Sequence, residues 1–418
     1  MKDHAIKQRQ ALLNRLKEGS VALLDAGSLI ASSADQHYAF KPSRNFYYLT
    51  GIHAPKARLM MIKTTSVQKV ILFLEADTAH SLKWEGPKFS AEAAMSVGGF
   101  QASEILPLEQ FEGQFQQLMS YQRSPYGLPP THLYLDLPHA SYHQTPTALD
   151  QFKPIIENFK ELKIESLSGH LAALRMIKTD VEINAIETAI KTTHKGLLNI
   201  LKHLKGRTFE YQCVADFNHA LDLENAPDTA FHTIAASGEN AMVLHYDVND
   251  ARLSDQGLIL FDLGALHQLY AADISRTYPI KGTYEGFYKD LYQAVLEVQK
   301  EVIQAVKPGQ TWKALNQLAK DLLAEKAVAL KMIKTKEEIT DVYYHSIGHF
   351  LGLDVHDVGI YDEPFKAGMV ITIEPGLYGQ GSGVRIEDNI LVTDEGHRNL
   401  SAAIEKEIDD IERLIKAS

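Results

Sequence analysis

The run YYHSIGHFLGLDVHD, residues 343 to 357, places His345, His349 and His356 within twelve residues, with Gly348, Gly352, Asp354 and Asp357 among them. Imidazole carries a proton or ligates a metal near neutral pH. Glycine lets backbone approach a centre closely. The spacing of His345 and His349 would suit one helix face, but the two glycines argue against a stable helix there. One histidine reads as a ligand and the others as catalytic neighbours.

Acidic residues sit where strands should exclude them. Asp262 ends LILFD, and Asp273 follows eleven residues later in YAADISRTYP. Glu374 ends VITIE, and Glu387 follows thirteen residues later in VRIED. Aspartate and glutamate are poor strand formers and are seldom buried without a partner. Each pair reads as one strand-turn-strand segment aiming a carboxylate from either strand at one point. In VRIED the two-residue period puts Arg385 and Glu387 on one face, opposite Val384 and Ile386; Thr372 and Glu374 likewise share a face. Four converging carboxylates without a cation would repel one another or neutralise. Two divalent cations would cancel their charge, with His349 as the single nitrogen ligand. An oxygen-rich set with one imidazole favours manganese, with cobalt, iron and zinc as alternatives.

The chain carries 53 acidic and 42 basic residues, a net charge of −11, which argues against nonspecific binding to nucleic acid. Its one cysteine, Cys213, rules out an intrachain disulfide and any cysteine-based zinc site. Cys213 reads as a packing residue. No run reaches the roughly 18 uncharged apolar residues of a membrane span, so no membrane partner and a cytoplasmic location are expected. There is no G-x-S-x-G elbow, P-loop or H-E-x-x-H.

A chain of 418 residues predicts two domains, placed at 1–170 and 171–418. In the first, RLMMI, KVILFLEA and LYLDL read as buried strands among helical runs, an α/β pattern, and prolines between Pro125 and Pro154 predict loops. The junction LRMIKTDVEINAI carries a capping pattern, Thr179 with Glu182. The second domain opens with long helices and then turns strand-rich, an α+β pattern. Its tail, AAIEKEIDDIERLIKAS, reads as an amphipathic helix with Ile404, Ile408, Ile411 and Ile415 on one stripe.

The segments FDLGALHQLYAADISRTYP, HSIGHFLGLDVHD, TIEPGLY and GVRIEDN resemble the dinuclear metallopeptidases of the pita-bread fold, a family of aminopeptidase P, prolidase, methionine aminopeptidase and the non-metal enzyme creatinase. SSADQHYAFKPSRNFYYLTGI is similar to the N-terminal domain of bacterial aminopeptidase P, so an N-terminal domain of the creatinase/prolidase type is implied. The resemblance implies Asp262 as a ligand of one metal, Asp273 and Glu387 as bridging carboxylates, and His349 and Glu374 as ligands of the second metal. It implies catalytic or substrate-contacting roles for His245, His356 and Arg385, and a pocket place for His345 and Tyr378. Leu263 and Ala272 stand where the family often has alanine and glycine.

The implied activity is removal of the first residue of a peptide with proline second, through a metal-bridging hydroxide, with Glu374 shuttling the proton. The proline preference comes from the resemblance alone. A prolidase acting on Xaa-Pro dipeptides, which would need a cation for the free carboxylate, is the nearest alternative. A non-catalytic pita-bread binding module is a further one. The family also implies a homodimer or homotetramer, in which Asp35 could reach a neighbour's active site.

Overall fold

The apolar run after residue 20 becomes β1 (Ser20–Asp25), a buried inner strand. The computed structural model describes residues 1–122, 124–138, 145–254 and 256–417, and the chain divides into two units, Met1–Arg175 and Met176–Ser418. In the first unit β2 (Ala31–Ser33) and β3 (Gln36–His37) make an exposed hairpin. β4 (Arg58–Lys63), β5 (Gln68–Leu74), β6 (Ile105–Pro107), β7 (His132–Leu135) and β8 (Lys163–Ser166) join β1 in one mixed sheet, ordered β6-β5-β4-β1-β7-β8. Met60, Ile62, Ile71 and Phe73 alternate onto one face, where Phe111, Phe115 and Phe152 cover them. The proline-rich stretch holds β7 and the short helices Thr147–Gln151 and Lys153–Asn158 as well as loops; residues 139–144 lie outside the described residues.

The second unit opens with helices Asp180–His203 and Glu210–Leu223. Glu182 accepts from the Thr179 amide at 2.8 Å, closing the first helix's start. Cys213 is buried on the second helix, and burial pushes its thiol up to about 12, so it packs rather than reacts.

Then come β9 (Ile234–Ser237), β10 (Leu258–Leu263), β11 (Leu266–His267), β12 (Tyr270–Ala271) and β13 (Ile274–Pro279). Helices Gly286–Gln304 and Trp312–Ala329 break at Pro308-Gly309. After them come β14 (Val370–Ile373), β15 (Gly376–Gly379), β16 (Ser382–Arg385), β17 (Asp388–Val392) and β18 (His397–Asn399). The sheets are ordered β13-β10-β9 and β14-β17-β18. The β11–β12 hairpin is inserted between β10 and β13, and the β15–β16 hairpin between β14 and β17. Each expected strand-turn-strand is therefore a strand pair with a second hairpin nested inside it. VRIEDNILV is not one strand: it breaks at Ile386-Glu387, where the backbone changes partner from Pro375 to Ser275.

Behind this break lies Arg276, fully buried. Its guanidinium donates to Asp388 at 2.7 Å, to the Glu387 carbonyl at 2.6 Å and to the Ser275 carbonyl at 3.0 Å. It also reaches the Ile404 and Glu405 carbonyls, each at 3.2 Å. Lys406 holds the other Asp388 oxygen at 2.6 Å. Burial alone would raise the Asp388 carboxyl, yet Arg276 and Lys406 hold it below the usual carboxylate range. The strut also explains the tail. The last helix spans only Ile408–Ala417, because residues 404 to 406 point their carbonyls and Lys406 inward instead of continuing a helix. Ile404 is buried beside the stripe without being helical.

Breaking one partner of a buried ion pair costs about 3–5 kcal/mol. Arg276→Met should lower the unfolding free energy by that amount in urea denaturation. A loss below about 1 kcal/mol, the scale of a surface pair, would mean the strut does not join these strands.

Candidate metal centre

Register builds the acidic site. Asp262 on β10 lies opposite Ser275 on β13, and Asp273 precedes β13 on the same face as Ser275 and Thr277. Ile373 pairs with Asp388, so Glu374 and Glu387 meet just beyond the end of that ladder. The two halves then interlock. Asn389 Nδ2 donates to the Asp273 carbonyl at 2.6 Å, and its Oδ1 accepts from the Asp273 amide at 3.2 Å. The Ser275 hydroxyl donates to Glu387 Oε2 at 2.8 Å, and the Glu387 amide donates to the Ser275 carbonyl at 3.0 Å. The Thr277 hydroxyl accepts from the Arg385 amide at 3.2 Å and donates to its carbonyl at 3.1 Å.

The histidine segment lies along β14. The Thr372 amide donates to the His349 carbonyl at 2.9 Å, and Leu351 donates to Val370 at 3.0 Å. Gly348 is required for this approach: a Cβ there would stand 2.0 Å from the Thr372 carbonyl oxygen. At Gly352 a Cβ would stand 2.1 Å from the Asp357 carboxylate. His349 Nδ1 lies 3.0 Å from the Phe350 carbonyl, which can only accept, so Nδ1 carries the proton. Nε2 then presents its lone pair 3.4 Å from Asp273 Oδ2 and 3.5 Å from Glu374 Oε1. His356 packs edge-on against His349 with ring centres 4.2 Å apart.

His345 Nδ1 lies 2.7 Å from the Ser346 carbonyl, and Nε2 lies 2.8 Å from the Tyr378 hydroxyl. Burial and the charge of Arg385 push this histidine down to about 4, so it is neutral near pH 7. Arg385 donates to Asp262 at 2.7 Å, to the Ser275 hydroxyl at 2.8 Å and to the Tyr378 hydroxyl at 3.2 Å.

A cavity of about 1030 Å³ gathers Asp262, Asp273, Glu374, Glu387, His245, His345, His349, His356 and Arg385. Tyr378 does not line it: the ring is buried and its hydroxyl braces His345 and Arg385 from behind. Ser275 and Asn389 were not singled out from sequence. A signal existed for both. Ser275 stands two residues after Asp273 and Asn389 two after Glu387, on the same faces as the carboxylates.

Fully ionised, four carboxylates against one arginine would leave three negative charges in this site. Burial, then the charges of Asp262 and Glu374, drives Asp273 well above the usual carboxylate range. Burial, then Asp273 and Glu374, does the same to Glu387. Burial raises Glu374, partly offset by His349 and Arg385. Asp262 Oδ1 and Glu387 Oε1 are buried with no hydrogen-bond partner among the described residues. Ligand atoms of Asp273, His349 and Glu387 all lie within 4.8 Å of one another. Bare carboxylate oxygens beside an imidazole lone pair are the donor set of a divalent cation.

Comparison with known proteins agrees with this geometry. Metallopeptidase family M24 matches residues 166–394, and the aminopeptidase P N-terminal domain matches residues 5–126. An Xaa-Pro aminopeptidase of Haemophilus influenzae is 31% identical over 435 residues, covering 99% of this chain and 97% of its own. A Bacillus anthracis structure provisionally assigned to aminopeptidase P superimposes with a TM-score of 0.95 at 40% identity, covering 100% of this chain and 99% of that one. Zinc-substituted Escherichia coli aminopeptidase P in complex with product gives a TM-score of 0.88 at 26% identity, covering 100% of this chain and 98% of that one.

Removing one of the crowded charges should stabilise the metal-free protein and weaken metal binding together. A relief of about 1.4 kcal/mol, the equivalent of one pKa unit, corresponds to roughly 2–6 °C. Glu387→Gln, stripped with chelator at pH 8, should melt that much higher than the stripped parent. Its affinity for added Mn2+, read by calorimetry, should fall more than about 10-fold. A stripped variant that melts lower would remove the repulsion argument.

Proposed function

Because the chain belongs to metallopeptidase family M24, we propose that its cavity removes the first residue from peptides that carry proline at the second position. The chain is a metallo-exopeptidase that uses a divalent metal cofactor. The observation that carries the peptide reading is the charge of the cavity wall. Among the described residues lining it there is no lysine, and Arg385 is committed to Asp262, Ser275 and Tyr378. A dipeptide's free carboxylate therefore meets acids and no uncommitted cation. A free amine meets Asp247 and Asp354 as well as the four core carboxylates. The cavity thus favours a peptide that enters amine first with its carboxylate far away.

Asp262, Asp273, His349, Glu374 and Glu387 would hold two divalent ions. When bound, such ions polarise the scissile carbonyl and bring the pKa of water toward neutrality. Glu374, a carboxyl raised by burial, takes the proton of the attacking water and passes it to the departing proline nitrogen. His356, lowered by burial and the neighbouring His349 and His245, is neutral near pH 7 and offers its N–H to the substrate carbonyl. His245 faces the same cavity and orients the peptide. Arg385 and Tyr378 act on substrate through the groups they hold, Asp262 and His345.

The oxygen-rich donor set favours manganese as the working ion. No helix among the described residues is long and apolar enough to cross a membrane. With a single buried cysteine, a cytoplasmic location is the one we infer. We also infer a homodimer or homotetramer. The β2–β3 hairpin carries Asp35 and stands exposed beside Leu29, Ile30 and Tyr38, as a contact with a second copy requires.

Chelator-stripped protein reloaded with Mn2+ should release the first residue of Xaa-Pro-Xaa peptides and spare Xaa-Pro dipeptides, as mass spectrometry would read directly. Cleavage of the dipeptide alone would replace this reading with a prolidase. Glu374→Gln should lower kcat about 10²–10⁴-fold, the usual range for a general acid–base group, with an unchanged circular dichroism spectrum. Near-parental kcat in that variant would remove Glu374 from proton transfer.

A further inference from the structure

The helix Glu210–Leu223 begins with a carboxylate that is wholly buried and, among the described residues, forms no ion pair. Its hydrogen-bond partners among the described residues are neutral donors on the segment from Ser237 to Ala251. Oε1 accepts from the Ser237 amide at 2.7 Å, the Ser237 hydroxyl at 2.7 Å and Asn240 Nδ2 at 3.1 Å. Oε2 accepts from the Tyr246 hydroxyl at 2.8 Å and the Ala251 amide at 3.1 Å. Position at the first residue of the helix places the charge at the positive end of its dipole, and charge-assisted bonds are the strong ones. One carboxylate thus ties together the start, the middle and the end of a loop whose last anchor, Ala251, lies fourteen residues beyond its first, Ser237.

That loop carries His245 into the cavity, with Leu244 beside it. His245 is exposed, and among the described residues no hydrogen bond holds its ring, in contrast to His345 and His349. Its place is set by its neighbours. Tyr246, the next residue, turns its hydroxyl to Glu210, while His245 lines the cavity. Asn249, in a left-handed conformation at φ 52°, fixes the return: its Oδ1 accepts from the Ala235 amide at 2.7 Å and its Nδ2 donates to the Thr233 carbonyl at 2.8 Å. On the other side the loop backbone presses on β16, where a Cβ at Gly383 would stand 2.3 Å from the Ala241 carbonyl oxygen.

We propose that Glu210 is a positioning residue for the reaction: a buried anion that staples the 237–251 loop and thereby aims His245 at the substrate. This rests on the role given to His245 above. The donors converge on a full negative charge, so an amide cannot replace it. A glutamine would turn an NH2 group toward donors at one oxygen.

The test combines a staple readout with a kinetic cycle on the metal-loaded enzyme. In Glu210→Gln, amide hydrogen exchange at residues 243–248 should accelerate at least about 10-fold, while His349 and its neighbours stay protected. Bound metal should remain at the parental ratio. kcat/KM for an Xaa-Pro-Xaa peptide should fall about 10-fold, and in a His245→Ala background the same substitution should cost less than about 2-fold, because coupled residues are non-additive. Tyr246→Phe, which deletes only the bond next to His245 and leaves the fold intact, should reproduce a smaller part of the fall with the same dependence on His245. Unchanged exchange in both variants would overturn the staple. Accelerated exchange with an equal loss in both backgrounds would overturn the aiming of His245 and leave Glu210 as general support. A His245→Ala enzyme with parental kcat/KM would defeat the role assigned to His245, and exchange alone would then judge the staple.

Discussion

Glu387 receives one hydrogen bond on Oε2 and none on Oε1, although it is buried with Asp273, Asp262 and Glu374 in the same cavity. That mutual repulsion is the constraint around which the second unit is built. Carboxylates this crowded would spread apart if side chains alone set their places. The chain denies them that freedom by fixing backbone first. Asp273, Ser275 and Thr277 face Asn389, Glu387 and Arg385, and each pairing is closed by at least one bond to main-chain atoms. Arg276 clamps the reverse side of both segments through the Ser275 and Glu387 carbonyls. The repulsion is therefore stored against a scaffold that cannot relax it, which is what leaves it available to a cation.

The histidines are served by a different device. An imidazole becomes a ligand or a donor according to which nitrogen holds the proton, and a main-chain carbonyl decides that for both His345 and His349. The Phe350 carbonyl accepts from the His349 ring and also from the Asp357 amide at 2.8 Å, so the turn bearing His356 is tied to the tautomer of His349. Lys178 pins Asp357 at 2.9 Å in a buried ion pair. The glycines belong to the same device, since both Gly348 and Gly352 lie where any Cβ would displace these contacts.

The four converging carboxylates and His349 were legible in sequence because they violate local preference: acids within apolar strands and glycines among histidines have no reason in propensity. The α/β and α+β division followed from period alone. What could not be read is whatever depends on a partner distant in sequence. VRIEDNILV has an unbroken alternation, and only Ser275 and Pro375, each claiming one amide, divide it into β16 and β17. The tail has a helical stripe from Ile404, yet its first turn is drawn inward by Arg276 and Lys406. Tyr378 sits in a motif that resembles a pocket wall, and its depth behind His345 follows from the β15–β16 register. Glu210 reads as an ordinary acid in a helix's first turn; nothing in FEYQC signals the five donors gathered around it.

The treatment of buried acids separates scaffold from site without reference to any relative. Asp388 and Asp357 are buried and matched by Arg276, Lys406 and Lys178. Glu210 is buried and matched by neutral donors at a helix start. Asp273 and Glu387 are also buried and face the cavity, and Glu387 Oε1 has no hydrogen-bond partner among the described residues. A chain that can neutralise Asp388 twice over does not leave Glu387 bare for want of cations. Desolvating an uncompensated carboxylate costs several kcal/mol, and a fold tolerates that only where something outside the chain returns it. Divalent ions return it and gain reactivity in doing so. The same acids that burden one another without a cation thus set the charge and the place of the ion that relieves them.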